Sequence, residues 1–151
     1  MLAHRNGLLC VLVTNGTAAL PVLEELLPWT DAMNIDLKGF TDRYYRDVLK
    51  GDRGMTMDFI REAARSCHVE LTTLIVPGEN DTPEETTELS EWIAGLNPVF
   101  GGKKGEEIPL HISRFFPRYR MTDREPTEIG TVYALVREAR RHLRYVYPGN
   151  C

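Results

Sequence analysis

The stretch Ala32-Met33-Asn34-Ile35-Asp36-Leu37-Lys38 decides the fold, because its alternate side chains have opposite character. Successive side chains of a β-strand point to opposite faces. One face of this strand therefore carries only apolar groups and suits packing against helices. The other face carries an amide, a carboxylate and an ammonium in a row, from Asn34, Asp36 and Lys38. The stretch predicts a strand that packs on helices and turns its charged face inward.

The segments on both sides of this strand predict the order β-α-β-α-α-β-α-β-α-β. Thr82-Pro83-Glu84-Glu85 is a capping box with proline at the first helical position, and Thr127 is the expected cap of the last helix. Such alternation is typical of an α/β fold with parallel strands and right-handed crossovers. We expect one domain over residues 1–151. The predicted strands are residues 8–13, 32–37, 69–76, 108–113 and 145–147, and the predicted helices are residues 18–27, 41–49, 55–65, 83–96 and 128–142.

Composition excludes several protein classes. The 151 residues include 18 Lys and Arg against 22 Asp and Glu, a formal net charge of −4, and 42% are apolar, which is typical of globular proteins rather than collagen-like, mucin-like or disordered chains. The mild acidity weighs against wholesale nucleic-acid binding. The longest apolar run, residues 8–13, is far shorter than the roughly 20 residues of a membrane span. The first residues lack a signal-peptide core, so we expect a cytoplasmic protein.

The cysteines do not predict a disulfide framework or a metal site. Cys10, Cys67 and Cys151 are widely spaced and odd in number, and no pair has the spacing of metal ligands or a redox motif. We expect two buried thiols and one terminal thiol, and we expect His4, His68 and His142 to be surface or packing residues.

The first strand begins unusually early. Residues 8–13 are apolar at every position, which predicts burial on both faces, as in a parallel sheet covered on each side. An uncovered edge on such a strand would be a liability. We therefore expect a partner chain or a preceding barrel segment to cover this edge, with the chain forming the later part of a longer barrel.

Polar clusters follow the predicted strands at the ends where parallel α/β folds collect reactive groups. Asp36 and Lys38 are expected to pair or to bind something charged, and we favour a ligand or cation site over a purely structural ion pair. His111 is either a hydrogen-bonded core residue or a ligand or acid–base group. Residues 79–81 are expected to form a solvated loop. At the other strand ends, Thr14 and Asn15 form either a tight turn or a ligand contact, and Ser113 and Arg114 follow His111.

Two loops have distinctive compositions. Residues 99–107 are polar and rich in glycine, which predicts a mobile loop. Residues 114–126 contain four arginines interleaved with aromatic residues, a pattern compatible with stacking on nucleic acid, with clamping of a carboxylate or phosphate, or with a solvated surface. The acidic total favours the carboxylate or phosphate over nucleic acid. The arginines are Arg114, Arg118, Arg120 and Arg124.

Four motifs follow one another at family-like intervals: Val-Thr-Asn-Gly, Asn-Ile-Asp-Leu-Lys-Gly-Phe, Thr-Leu-Ile-Val-Pro-Gly-Glu-Asn-Asp and His-Ile-Ser-Arg-Phe-Phe-Pro-Arg-Tyr. The ordered set resembles radical S-adenosylmethionine (SAM) proteins of the pyruvate formate-lyase activating enzyme type, and the last motif resembles the radical SAM member of the AmmeMemoRadiSam set. The resemblance covers nearly the whole chain. It implies about five strands of a partial, TIM-like (β/α) barrel that binds SAM beside a [4Fe–4S] cluster, whose electron cleaves SAM to a 5′-deoxyadenosyl radical.

The resemblance also implies roles for particular residues. Asp36 and Lys38, with Thr14 and Asn15, would lie against the methionyl part of SAM, joined by Ser113 or Arg114 from a later strand. His111 and Arg118 would face the substrate, which would be a glycyl-radical-type or other protein.

Two of the departures from the family pattern concern the cofactors. Val13 stands where activating enzymes usually carry an aspartate of a cation site, and the three cluster cysteines of the family's first third have no counterpart. We therefore expect the C-terminal portion of such an enzyme, inactive by itself and without a cluster. The alternatives are a non-catalytic α/β module that binds an anionic partner through residues 114–124, and a barrel lyase with Lys38 as a Schiff-base amine.

Overall fold

The computed structural model describes residues 2–151 and contains one five-stranded sheet. All four neighbouring strand pairs are parallel, and the strands lie side by side in sequence order. This confirms the predicted α/β fold of parallel strands alternating with helices. The strands are β1 (Val11–Thr14), β2 (Ala32–Asp36), β3 (His68–Ile75), β4 (Leu110–Arg114) and β5 (Val146–Gly149).

Helices cover one face of this sheet. Met33 and Ile35, on the apolar face of β2, are fully buried. They share one core with apolar residues of four helices, such as Leu23, Ile60 and Val132. The predicted orientation of β2 is therefore confirmed, with its charged residues on the other face. The helices are α1 (Leu2–Arg5), α2 (Leu20–Leu26), α3 (Arg53–Ser66), α4 (Pro83–Ala94) and α5 (Ile129–Ala139), and residues Tyr44–Leu49 form a short π-helix. None of the helices within residues 2–151 has the length and apolar character to cross a membrane.

Side-chain caps set two helix starts. Thr82 accepts the backbone N–H of Glu85 at 3.3 Å, as its capping box predicts. Asp52 accepts the N–H of Met55 at 2.9 Å, so α3 begins before the predicted residue 55. The prediction that Thr127 caps α5 was wrong, because the N-cap residue is Glu128. The buried hydroxyl of Thr127 instead hydrogen-bonds to backbone groups at the ends of β3 and β4.

Residues 99–107, predicted to be a mobile loop, contain regular turns. They form two short 3₁₀ turns, Phe100–Gly102 and Gly105–Glu107. Gly105 is buried, and a Cβ there would overlap the carbonyl oxygens of Ile93 and Ala94 at the end of α4. The carbonyl of Glu106 also accepts the N–H of Arg144 at 2.8 Å. Backbone contacts that need the absence of a side chain thus anchor this glycine-rich segment.

The first strand is shorter and more exposed than its sequence predicts. Only Val11–Thr14 forms a strand, and Leu9 and Val13 are 81% and 79% exposed, so the expectation of burial on both faces was wrong for this chain. Nothing within residues 2–151 pairs with the outer edge of β1 or covers its polar-face side. Of the two thiols expected to be buried, Cys67 is buried but Cys10 is only half-buried; the terminal Cys151 is exposed.

The second face of the sheet carries no helix within the described part of the chain. Strand register aligns Asn34 with Glu70, Asp36 with Thr72, and Thr72 with His111 across this face. Parallel sheets are usually covered on both faces. This face is instead polar and half-buried, and its carboxyl-terminal edge positions the candidate site.

Candidate functional site

An ion pair lies at the carboxyl end of β2, on the uncovered polar face. Nζ of Lys38 lies 2.7 Å from Oδ2 of Asp36, and the two side chains are 35% and 31% exposed. They are neither free in bulk water nor sealed in the core. Among residues 2–151 no other side chain or backbone group hydrogen-bonds to this carboxylate or ammonium, so both keep unused hydrogen-bonding capacity.

The backbone beside this pair is held from three sides. The N–H of Lys38 donates to Oη of Tyr45 at 3.1 Å, and its carbonyl accepts from Nδ2 of Asn80 at 2.6 Å. The hydroxyl of Thr73 donates to the carbonyl of Leu37 at 2.7 Å. Burial raises the pKa of Tyr45 despite this bond from Lys38, which by itself lowers it, so the phenol stays protonated.

Asn80 joins the ends of two strands. Besides its bond to Lys38, its amide donates to the carbonyl of Leu74 at 2.9 Å and accepts the N–H of Val76 at 2.7 Å. Asn80 is 2% exposed, so the expectation of a wholly solvated loop was wrong at this residue. Its position after Pro77-Gly78 resembled ordinary turn chemistry, and no local signal indicated that the amide would be buried.

Thr14 and Asn15 form the turn that follows β1. The hydroxyl of Thr14 accepts the N–H of Gly16 at 3.2 Å, and Oδ1 of Asn15 accepts both the N–H and the hydroxyl of Thr17, at 3.2 and 2.8 Å. Thr14 pairs with Ile35, so its register is that of the helix-covered face. The structure thus shows the local turn; Asn15 is exposed, and its amide nitrogen makes no hydrogen bond within residues 2–151.

Ser113 and Arg114 differ in orientation. Ser113 pairs with Gly149 on the polar face, where a Cβ on that glycine would lie 2.6 Å from the serine oxygen. Arg114 pairs with Ile75 and so belongs to the opposite face of the sheet. Its Nε donates to the carbonyl of Thr127 at 2.6 Å, and its guanidinium lies 4.7 Å from the ring centre of Phe116. Of these two candidates, only Ser113 shares the face of Asp36 and Lys38.

Thr127 fastens the carboxyl ends of β3 and β4. Its hydroxyl donates to the carbonyl of Ile75 at 2.6 Å and accepts the N–H of Phe115 at 3.2 Å. The residue is 1% exposed. These bonds explain why its side chain is not available as a helix cap.

His111 lies on the polar face and is hydrogen-bonded to Glu70, a residue that the sequence did not single out. Nε2 of His111 lies 2.7 Å from one carboxylate oxygen of Glu70, and Nε2 of His68 lies 3.4 Å from the other. Burial alone would raise the pKa of Glu70, but the hydrogen bonds from His111 and His68 outweigh burial and hold this pKa below its usual range. The alternation of β3 was the available signal, because it places Glu70 on the face of Asp36.

An arginine-rich cleft opens at the same edge of the sheet. Its volume is about 760 Å³. Arg124 is paired with Glu79 at 3.1 Å, whereas Arg118 and Arg120 lie within 4 Å of no carboxylate in the described part of the chain. The cleft is therefore electropositive and lined by aromatic groups. Its walls are Leu74, Arg114, Phe115, Phe116, Arg118, Tyr119, Arg120, Met121 and Asn150.

Comparison with known proteins gives a consistent picture. No family model matches the chain. An uncharacterized protein of Methanocaldococcus jannaschii is 36% identical over 152 residues, which cover 99% of this chain and 43% of that protein. Pyruvate formate-lyase 1-activating enzyme of Escherichia coli K12 is 28% identical over 110 residues, covering 71% of this chain and 44% of the enzyme. The chain thus spans less than half the length of these relatives.

A solved structure supports the fold. A domain of pyruvate-formate lyase-activating enzyme from Bacteroides vulgatus ATCC 8482 superposes with a TM-score of 0.76, covering 97% of this chain and 84% of that domain at 13% identity. At that identity the match concerns the fold alone. With the sequence match to the E. coli enzyme, it makes this chain a distant homologue of pyruvate formate-lyase activating enzymes, with the fold of a domain of one.

Proposed function

We propose that this chain forms the SAM-facing and substrate-facing wall of a radical SAM enzyme of the pyruvate formate-lyase activating type. The observation that carries the proposal is the Asp36–Lys38 pair, which lies at the carboxyl edge of the uncovered face with hydrogen-bonding capacity to spare. The methionyl part of SAM presents one carboxylate and one ammonium. Lys38 matches the carboxylate and Asp36 the ammonium, so this part of the cofactor fits the residues present.

The cluster that the family uses does not fit the cysteines of this chain. Cys10 and Cys67 precede β1 and β3, so they lie at the amino edge of the sheet, whereas Cys151 follows β5 at the other edge. Burial also raises the pKa of Cys67 to about 11, which disfavours the thiolate that iron requires. When SAM and a reduced [4Fe–4S] cluster are bound together, they supply a 5′-deoxyadenosyl radical; we assign no residue here to that step.

Other residues of this chain have proposed roles in binding and in shielding. Asn15, in the turn that follows β1, and Ser113, near the carboxyl end of β4 on the face of the ion pair, are proposed to offer further polar groups to the cofactor. His111, held by Glu70, and Arg118 in the cleft are proposed to face the substrate, which would be a protein. The bare polar face and the open edge of β1 require a cover, either further barrel strands or a second chain, to exclude water from a reactive intermediate.

Titration with SAM tests this proposal. In calorimetric titrations of the 151-residue chain, we expect saturable binding that weakens about tenfold or more in Lys38→Met and in Asp36→Asn, the range typical of a lost charged hydrogen bond. Lys104→Met is the matched control, because it removes an exposed ammonium from a turn outside this edge. Binding that is equal in all four proteins, or absent from the parent chain, would contradict the assignment.

One observation favours a second candidate function. Arg118 and Arg120 lack carboxylate partners among the described residues, and they line a cleft with aromatic walls. A non-catalytic module could use this cleft to hold an anionic partner. Binding of an acidic peptide that is lost in Arg118→Ala with Arg120→Ala, together with no response to SAM, would favour this function over the first.

A further inference from the structure

The amino edge of the sheet, opposite the candidate SAM site, brings together three metal-ligating side chains. His4 belongs to α1, Cys10 immediately precedes β1, and Asp31 immediately precedes β2. One donor atom of each residue lies within 4.8 Å of the donor atoms of the other two. The spacing along the chain gave no hint of this cluster, because the ligands come from three separate elements.

Neighbouring groups orient two of these side chains. One carboxylate oxygen of Asp31, Oδ2, accepts the N–H of Cys10 at 2.7 Å and lies 3.7 Å from Nδ1 of His4. The other carboxylate oxygen, Oδ1, has no hydrogen-bond partner within residues 2–151. The ring of His4 packs edge-on against Trp29, with 6.1 Å between ring centres. The imidazole and the carboxylate are therefore already turned toward each other.

The thiol is the least constrained of the three donors. The one hydrogen bond of Cys10 Sγ among the described residues is a weak one to the carbonyl of Leu8, at 3.8 Å. Cys10 is half-buried, and the side chains of His4 and Asp31 are 41% and 32% exposed. The site is thus open on one side, which leaves room for a water molecule as a fourth ligand.

We propose that His4, Cys10 and Asp31 bind a divalent transition-metal ion of the zinc class. Imidazole, thiolate and carboxylate are ligands that Zn²⁺ takes in tetrahedral sites, whereas Mg²⁺ and Ca²⁺ prefer oxygen alone. Donor atoms around tetrahedral zinc are about 3.3–3.8 Å apart, from bond lengths of roughly 2.0–2.3 Å. The donor atoms already lie within 4.8 Å of one another. Tetrahedral binding therefore needs a closure of at most about 1–1.5 Å, which the exposed His4 on a one-turn helix allows. Binding displaces the thiol proton to solvent.

The metal would stabilise one edge of the sheet. Its three ligands tie α1 to the starts of β1 and β2, and β1 is an edge strand whose residues Val11 and Val13 are exposed. The proposal does not depend on SAM binding, because the two sites lie at opposite ends of the strands.

Cobalt titration of the metal-free 151-residue chain tests the site. Co²⁺ replaces Zn²⁺ in such sites and gives a thiolate-to-metal charge-transfer band. We expect one equivalent to bind, with the band lost in Cys10→Ser and the affinity lowered about tenfold or more in His4→Gln and Asp31→Asn. Cys151→Ser is the matched control for an exposed thiol. In a Trp92→Phe background, bound Co²⁺ should also quench the fluorescence of Trp29, the remaining tryptophan.

A second measurement guards against misfolded variants. Zn²⁺ should raise the Tm of the parent chain and of Cys151→Ser, because it binds only the folded state, and should leave the Tm of Cys10→Ser unchanged. A charge-transfer band that survives Cys10→Ser, a band that disappears in Cys151→Ser, or no band in the parent chain would each overturn the proposal.

Discussion

Replacement of Asn80 by alanine should destabilise the chain strongly, because this one amide satisfies three backbone groups. The variant removes the acceptor of Val76 N–H and the donor to the carbonyls of Lys38 and Leu74. Each buried hydrogen bond contributes about 1 kcal/mol net, and a buried group left without a partner costs about 1–3 kcal/mol. We therefore expect a loss of about 3 kcal/mol in the free energy of unfolding.

Thermal unfolding followed by circular dichroism measures this loss. For a chain of this length, about 1 kcal/mol corresponds to roughly 2–4 °C, so Tm should fall by about 6–12 °C. Asp81→Ala is the matched control, since that neighbouring side chain makes no hydrogen bond among residues 2–151. Asn80→Asp keeps one acceptor oxygen but sets a carboxylate against two carbonyls, and should be at least as unstable. A Tm within about 2 °C of the parent for either Asn80 variant would refute this account.

Two further predictions concern the sheet. Thr127→Val should lower the free energy of unfolding by about 1–3 kcal/mol, since its buried hydroxyl bonds both β3 and β4, whereas the exposed Thr122→Val should change it by less than about 0.5 kcal/mol; urea midpoints compare the two. Glu70 stabilises the fold through its hydrogen bonds with His111 and His68, which lower its pKa on folding. Its contribution to stability is therefore fully present above the pKa of about 4.3 that it has in the unfolded chain, and is lost as pH falls through its pKa in the folded chain. The stability difference between the parent and Glu70→Gln should therefore shrink in acid; a difference that is constant between pH 3 and about pH 6 would contradict this.

The sequence predicted those features that depend on local periodicity. The alternation of Met33 and Ile35 with Asn34 and Asp36 predicted the orientation of β2 correctly, because alternate side chains of a strand point to opposite faces and the apolar set takes the buried one. The capping box at Thr82 located the start of α4, because its hydrogen bonds join residues within one turn.

Features that depend on distant contacts were not predictable. Asn80 and Thr127 each lie in a stretch typical of turns or caps. Both are buried and hydrogen-bond to the backbone of strand ends only because the fold brings those ends close. Conversely, the apolar run containing Val11 and Val13 predicted burial, but both side chains are exposed within residues 2–151. An apolar sequence indicates that a surface is suited to burial, but it does not identify the segment that would bury it. The roles of Asp36, Lys38 and Ser113 in binding SAM stay predictions.

The parallel strands separate the two candidate sites physically. From Asp31 to Lys38 the chain advances seven residues, roughly 23 Å at about 3.3 Å per residue. That distance is more than twice the Debye length of about 8–10 Å at physiological ionic strength, so the charges at one end are screened from those at the other. Substitutions at the two ends should therefore have additive effects on free energy. Engineering of the amino end for thermal tolerance would then leave ligand affinity at the opposite end intact.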